Sequence, residues 1–271
     1  RTGVLDTANL HTYKFNDDLF KKITTIPDAK SHGLIFNIDW SGSMHHNIFD
    51  TVKQTLTLVS FCRKVGIDYD VYLFTDAWQK HGSYHDVADA SLIDGKVILD
   101  NFNMINVLTS GVNNRKHDHQ ALNLFRLGYS IANSYGRFMT PYQLGMGGTP
   151  LNESLIAINE LIPTFKKRTG AQKIHVVCLT DGDGSSLRCG KKYVNKHDDS
   201  EELFASHMGY GHILRDRKTG RMYSFEGGYY HSQTKQFVTW LRDRHPDCSF
   251  MNIRLLSQGE WHRFKSDCFD N

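Results

Sequence analysis

Three nearly continuous apolar runs stand out along the chain, and each one ends at polar or turn-forming residues. They cover residues 34–39, 68–75 and 173–180 and consist largely of aliphatic and aromatic side chains. Continuous runs, as opposed to alternating ones, are typical of strands that are buried on both faces of a sheet. Shorter runs at 250–256 and 97–99 predict a fourth and a weaker fifth strand.

Between these runs the apolar positions recur every three to four residues, which is the spacing of one face of a helix. The pattern predicts four helices, which follow Gly42 as far as Gly66, cover 120–135, start at Pro150 and cover 234–244. Because strands and helices alternate, we expect an α/β fold with a doubly wound, mostly parallel sheet and helices on both faces. In such folds ligands bind at the carboxyl ends of the strands.

The length of the chain suits one sizeable hydrophobic core, so we expect a single domain over residues 1–271 with its core at about 31–256. Two polar stretches, about 76–118 and about 183–231, are interpreted as insertions. The second of them contains an expected β-hairpin, which joins His212–Asp216 to Arg221–Phe225.

The composition excludes several classes of partner. The formal net charge is only +3, which argues against nucleic acid. No apolar run approaches the roughly 18 residues of a membrane span, and no segment resembles a secretory leader, so we expect a cytoplasmic protein without a membrane partner. None of the five cysteines forms a C-x-x-C pair, which favours packing roles over zinc or redox chemistry.

The strongest chemical signal follows the first predicted strand, where Asp39, Ser41 and Ser43 form an Asp-x-Ser-x-Ser motif. One carboxylate and two hydroxyls on a tight strand-to-helix turn can all point to one spot above the sheet. Oxygen-only ligands of low total charge favour Mg²⁺, with Mn²⁺ or Ca²⁺ as alternatives. The free N–H groups at the start of the following helix can hold the turn and the waters around the ion.

Two further segments carry oxygen ligands. Thr149 precedes Pro150 in a Gly-Gly-Thr-Pro sequence, where its hydroxyl could equally cap the helix. Asp181 follows the third apolar run in a Thr-Asp-Gly sequence, which alone would indicate only a turn. Because parallel strands end at the same edge of a sheet, Asp39 and Asp181 should meet despite their distance in the sequence.

Four neighbouring residues are candidates for supporting the ion or contacting a partner. Trp40 lies between two candidate ligands and is either packed under the turn or exposed as an anchor for a partner. His45 and His46 follow Ser43 and should lie at the rim of the site. Asp183 lies two residues beyond Asp181 and is either an outer ligand or a plain turn residue.

Taken together and in this order, the three motifs resemble the von Willebrand factor A (VWA) family and its metal-ion-dependent adhesion site. The resemblance implies a metal site made of Asp39, Ser41, Ser43, Thr149 and Asp181. It also implies an open position on the ion for an acidic residue of a protein partner. Residues 3–6 with Leu10, residues 143–153, and residues 173–176 before 180–182 further resemble cobaltochelatase T-subunit-like VWA proteins, including those of tailed bacteriophages. That narrower resemblance implies a MoxR-type AAA+ ATPase as the partner and, for a phage protein, the host cytoplasm as the location.

These observations favour a non-enzymatic, Mg²⁺-dependent protein-interaction module that acts as an adaptor of such an ATPase. One alternative is a metal-dependent phosphoester hydrolase. A haloacid-dehalogenase-like phosphatase also ends its first strand in Asp, but it has a second Asp at the position of Ser41. The other alternative, a nucleic-acid-binding VWA protein, is opposed by the near balance of charge.

Overall fold

The computed structural model describes residues 31–76, 93–99, 102–133, 141, 144–182, 184–194, 201–225 and 231–256. A short 3-10 helix at Gly42–His46 lies between the first strand and the first helix. The helices are α1 (Ile48–Val65), α2 (Asn114–Asn133), α3 (Leu151–Thr169) and α4 (His231–Arg244). The strands are β1 (His32–Asp39), β2 (Asp68–Thr75), β3 (Val97–Ile98), β4 (Asn103–Thr109), β5 (Lys173–Thr180), β6 (Arg188–Val194), β7 (Glu201–His207), β8 (Ile213–Arg215), β9 (Met222–Ser224) and β10 (Cys248–Arg254).

Five strands build one sheet in the order β10-β5-β1-β2-β4. Strand β1 is parallel to both β2 and β5, and β10 is parallel to β5. Strand β4 is antiparallel to β2, and the register of this pair shifts between Val71 and Tyr72 of β2. Two smaller antiparallel sheets, β3-β6-β7 and β8-β9, lie beside it.

The predicted fold class, a doubly wound and mostly parallel sheet, is corrected by this topology. The main sheet is mixed, because β4 runs antiparallel to its neighbour β2. The two additional sheets are wholly antiparallel. Part of the stretch 76–118 is therefore regular, since it contributes β3, β4 and the start of α2.

Individual elements follow the predictions closely. The strands predicted at 68–75 and 173–180 have those bounds, and the predicted hairpin is formed by β8 and β9. Gly66 is the C-terminal cap residue of helix α1, as the sequence predicted. Its φ of 73° places it in the left-handed region that glycine adopts without strain. No helix within the described ranges is both long enough and apolar enough to cross a membrane. The single-domain boundaries and the cytoplasmic location stay predictions.

Successive side chains of β1 point to opposite faces of the sheet and belong to two separate hydrophobic clusters. Ile35 belongs to a cluster with residues of α3 and α4, whereas Phe36 and Ile38 belong to one with residues of α1 and α2. All three side chains are almost fully buried. Burial on both faces is the physical reason for the continuous apolar run, because neither face of this strand meets water.

Gly190 of β6 is a position where the packing leaves no room for a side chain. Its N–H donates to the carbonyl of Lys96 and its carbonyl accepts from the N–H of Gly95, both at 2.9 Å. An added Cβ would lie 2.8 Å from the carbonyl carbon of Ile93. Backbone atoms cannot swing aside as the end of a side chain can, so Gly190→Ala must separate β6 from residues 93–96.

We therefore expect Gly190→Ala to lower the free energy of unfolding by about 1–3 kcal/mol. Urea unfolding followed by circular dichroism measures this loss. Gly182→Ala is the matched control, because a Cβ at Gly182 would meet no atom within 4 Å. Equal stability of the two variants would contradict the close approach at Gly190.

Candidate functional site

The candidate site lies at the carboxyl ends of two neighbouring parallel strands. Asp39 is the last residue of β1, and Asp181 directly follows β5. Strands β1 and β5 are paired from His32 to Ile38 on the β1 side. The parallel pairing brings both carboxylates to the same edge of the sheet, as the order of the motifs predicted.

Hydrogen bonds join the predicted ligands directly. The Ser43 hydroxyl donates to Oδ1 of Asp181 at 2.9 Å, and the Ser41 and Ser43 hydroxyl oxygens lie 3.0 Å apart. On the other side, the Thr180 hydroxyl donates to Oδ2 of Asp39 at 2.6 Å. Two carboxylates and three hydroxyls therefore lie together at this edge.

Thr149 is connected to the cluster through its own segment of backbone. Gly147 pairs with Ser41, and its carbonyl accepts from the Gly42 N–H at 2.7 Å. The Thr149 carbonyl accepts from the Ser185 N–H at 2.9 Å. Helix α3 takes Pro150 as its N-terminal cap residue without a side-chain capping bond. Thr149 therefore lies one residue before the N-terminal cap of α3.

Asp39 is the most unusual group at this edge. Its side chain is fully buried, and its Oδ1 has no hydrogen-bond partner among the described residues. Burial raises the pKa of Asp39 to about 6; hydrogen bonding by Thr180 and Ser41 opposes this rise, and the negative charge of Asp181 adds to it. A buried carboxylate oxygen without a partner is unfavourable by itself, and a cation beside it would offset this cost.

The donor set fits a hard divalent cation. Carboxylate and hydroxyl oxygens are the ligands that Mg²⁺ and Ca²⁺ prefer, and an ion here would satisfy the unpartnered oxygen of Asp39. Across the described ranges, no three His, Cys, Asp or Glu side chains are grouped so as to hold a metal ion. The site therefore depends on its hydroxyls, which favours oxygen-seeking ions over zinc or copper.

The four supporting candidates have different surroundings. Trp40 is fully buried, and its indole N–H donates to the Leu144 carbonyl at 2.9 Å, so it packs under the turn. His45 and His46 are exposed at the end of the 3-10 helix, with their ring centroids 5.3 Å apart. Asp183 lies outside the described residues.

Two polar residues near this edge were not singled out by the sequence patterns. Thr180 holds Asp39 in place, and its position in the Thr-Asp-Gly motif could have revealed it. Glu153 is buried in the first turn of α3, and its Oε2 has no partner among the described residues. Burial raises the pKa of Glu153 to about 7. A charged residue three positions after Pro150 suggests an exposed helix start, so only the packing shows that Glu153 is buried.

Comparisons with known proteins return no family. No family model matches the chain, and no curated protein matches it. Among solved structures it is similar to the pilus adhesin SpaC of Lactobacillus rhamnosus GG in its open conformation, with 12% identity, a TM-score of 0.43 and 83% of this chain covered. It is also similar to the three N-terminal domains of the type V pili tip protein Mfa5 of Porphyromonas gingivalis, with 10% identity, a TM-score of 0.33 and 70% coverage. The match spans 24% of the length of each of those chains.

These findings correct the assignment that the motifs suggested. The interpretation as a VWA protein of the cobaltochelatase T-subunit-like group is wrong: no family model matches the chain, and the similar solved structures given above are pilus proteins. The proposed role as an adaptor of a MoxR-type AAA+ ATPase and the phage source rested on that resemblance, and both are withdrawn with it. The similar structures are an adhesin and a tip protein. Their identities and TM-scores are too low for a function to be transferred.

Proposed function

We propose that this chain binds a hard divalent cation, Mg²⁺ in the first place and Mn²⁺ or Ca²⁺ as substitutes, at Asp39, Ser41, Ser43, Thr149 and Asp181. The observation that carries the proposal is the buried Oδ1 of Asp39, which has no partner among the described residues. A cation would convert this unfavourable group into a ligand. The neighbouring hydroxyls and the Asp181 carboxylate supply further oxygens without adding more charge than a divalent ion balances.

Each residue would contribute differently to holding the ion. Asp39 is fully buried and held by Thr180, so it would act as the fixed anchor. Ser41 is buried and Ser43 is exposed, so the hydroxyls lead from the interior of the site to its rim. Asp181 is half-buried and is held by Ser43. The bound ion would supply a point of attachment for an anionic oxygen of a ligand.

An acidic side chain of a protein partner is the ligand that this rim would suit. The side chains of the site would leave part of the coordination of the ion open toward solvent, on the exposed side of the site. An oxygen of a partner would complete the coordination there. The exposed His45 and His46 flank Ser43 and would meet the same partner. Binding would then depend on the cation, and the function would be recognition and not turnover.

Titration with Mg²⁺ in a calorimeter tests the site directly, with Asp39→Ala and Ser43→Ala beside the unmodified chain. We expect saturable binding that Asp39→Ala abolishes and that Ser43→Ala weakens by about tenfold, the equivalent of about 1.4 kcal/mol. Asp50→Ala is the matched control, because this acid of α1 has a side chain that is 77% exposed and pairs with Lys53 on the helix surface. Unchanged Mg²⁺ binding by Asp39→Ala would sink the proposal, as would equal losses in Asp39→Ala and Asp50→Ala.

A further inference from the structure

A groove of about 920 Å³ lies away from the candidate cation site, between residues 95–97 and the hairpin β8-β9. Its floor includes Cys189 and Met208, which are both buried. One side carries Lys96, and the other carries Arg215 and Arg217 of the hairpin and the turn that follows β8. The groove thus joins three segments that are far apart in the sequence.

The lining of this groove is positively charged on both sides. His212 adds a fourth basic side chain, and no acidic residue is among the described residues that line it. Asp216 separates the two arginines in the sequence, but its carboxylate is buried and bonded to Arg244 and Trp240. None of the ion pairs in the described part of the chain involves Lys96, Arg215 or Arg217. Like charges gathered around a concave surface create a positive potential that attracts anions.

Both sides of the groove are held in place before any ligand arrives. The N–H groups of Lys218 and Thr219 donate to Asp216, which fixes the turn that carries Arg217. On the other side, the carbonyl of Lys96 accepts from the Gly190 N–H at 2.9 Å. Because the backbone is already ordered, binding a ligand would require little further ordering beyond the three long side chains.

We propose that this groove binds a small phosphate-bearing molecule of about nucleotide size. Arginine presents a planar fork of donors that matches phosphate oxygens, and lysine adds a compact positive charge. The volume lies within the range of small-ligand sites, roughly 300–1,000 Å³. The apolar floor at Val97, Met208 and Leu214 suits a ring or another uncharged part of the ligand.

A nucleic acid strand fits these observations less well than a small molecule. A strand needs a positive track that continues beyond one groove. Next to the groove, Lys192 of β6 pairs with Glu201 of β7. The neighbouring Glu202 of β7 is exposed. These acidic side chains interrupt the positive charge along β7, which favours a compact anion over an extended one.

The test is calorimetric titration of the full chain with pyrophosphate and with ADP in EDTA, where the cation site cannot contribute. We expect saturable binding of at least one of the two, weakened about tenfold or more by the double variant Arg215→Ala/Arg217→Ala. Lys218→Ala is the matched control, because it removes a positive charge from the same turn without lining the groove. Its affinity should stay within about twofold of that of the unmodified chain.

Three results would overturn the proposal. One is the absence of saturable binding of both probes, and another is an equal loss of affinity in Lys218→Ala. The third is tighter binding of a short single-stranded oligonucleotide than of either small probe, which would identify a nucleic acid as the ligand. If the double variant does not fold, Lys96→Ala on the opposite side replaces it, with the same tenfold loss expected.

Discussion

Asp216→Ala is expected to lower the free energy of unfolding by about 3–5 kcal/mol. The Asp216 carboxylate is 5% exposed and accepts from Arg244 Nη1 at 2.8 and 3.0 Å and from the Trp240 indole at 3.2 Å. It also accepts from the backbone N–H of Lys218 and of Thr219. Removing it leaves a buried guanidinium and three other donors without their acceptor, and it frees the hairpin from α4.

Urea unfolding at pH 7 measures this effect, and a surface ion pair of the same region supplies the control. Arg221 pairs with Asp243 at 2.9 Å, but the Arg221 side chain is 62% exposed. Arg221→Ala should therefore lower the free energy of unfolding far less than Asp216→Ala, because water screens an exposed pair. If the two variants lost the same stability, burial would not be the source of the Asp216 contribution.

Lowering the pH should remove part of the stability that the Asp216 carboxylate contributes to the unmodified chain. Burial alone would raise the pKa of Asp216, but hydrogen bonds from Lys218, Arg244 and Trp240 outweigh it and lower the pKa from 3.8 to about 2. A group whose pKa is depressed by folding stabilises the fold above its unfolded pKa. About 2 kcal/mol of stability should thus be present above pH 4 and lost as the pH falls through 2. In the same unfolding experiment, Asp216→Asn should lack this pH-dependent component.

Asp39→Asn is expected to stabilise the cation-free chain while removing its response to Mg²⁺. In EDTA at pH 7 the buried Asp39 carboxylate is charged, and its pKa of about 6 against 3.8 corresponds to a penalty of about 3 kcal/mol. The amide keeps an oxygen for Thr180 and carries no charge. We expect a gain of about 2–3 kcal/mol, which for a domain of this size raises Tm by about 5–10 °C.

Mg²⁺ should make the unmodified chain more stable than Asp39→Asn, the reverse of the order expected in EDTA. At a concentration about a hundredfold above its Kd, Mg²⁺ stabilises the unmodified chain by about 2.7 kcal/mol. Asp39→Asn should gain almost nothing, because an amide is a poorer ligand than a carboxylate. Differential scanning calorimetry in EDTA and in Mg²⁺ measures both quantities, with the exposed Asp50→Asn as the control expected to resemble the unmodified chain. A variant at Asp39 that is less stable in EDTA would show that the carboxylate is satisfied without an ion.

The motifs were informative about position and misleading about family. The rule that parallel strands end at one edge predicted that Asp39 and Asp181 would meet, and the bond from Ser43 to Asp181 follows from that arrangement. The same short motifs led to a family assignment that no family model and no curated protein supports. Five oxygen-bearing residues can define a place for an ion, but they are too few to specify the rest of a chain.

The sequence by itself determined the positions of individual strands and helices. Periodicity located the strands at 68–75 and 173–180 and the end of α1 at Gly66, because burial and backbone hydrogen bonding act over a few neighbouring residues. The tertiary structure alone decided the antiparallel direction of β4, the burial of Glu153 and the groove formed by residues 95–97, Cys189 and the hairpin. These features depend on contacts between segments that are distant in the chain, and such contacts are selected by packing of the whole fold, which leaves no periodic mark on any one segment.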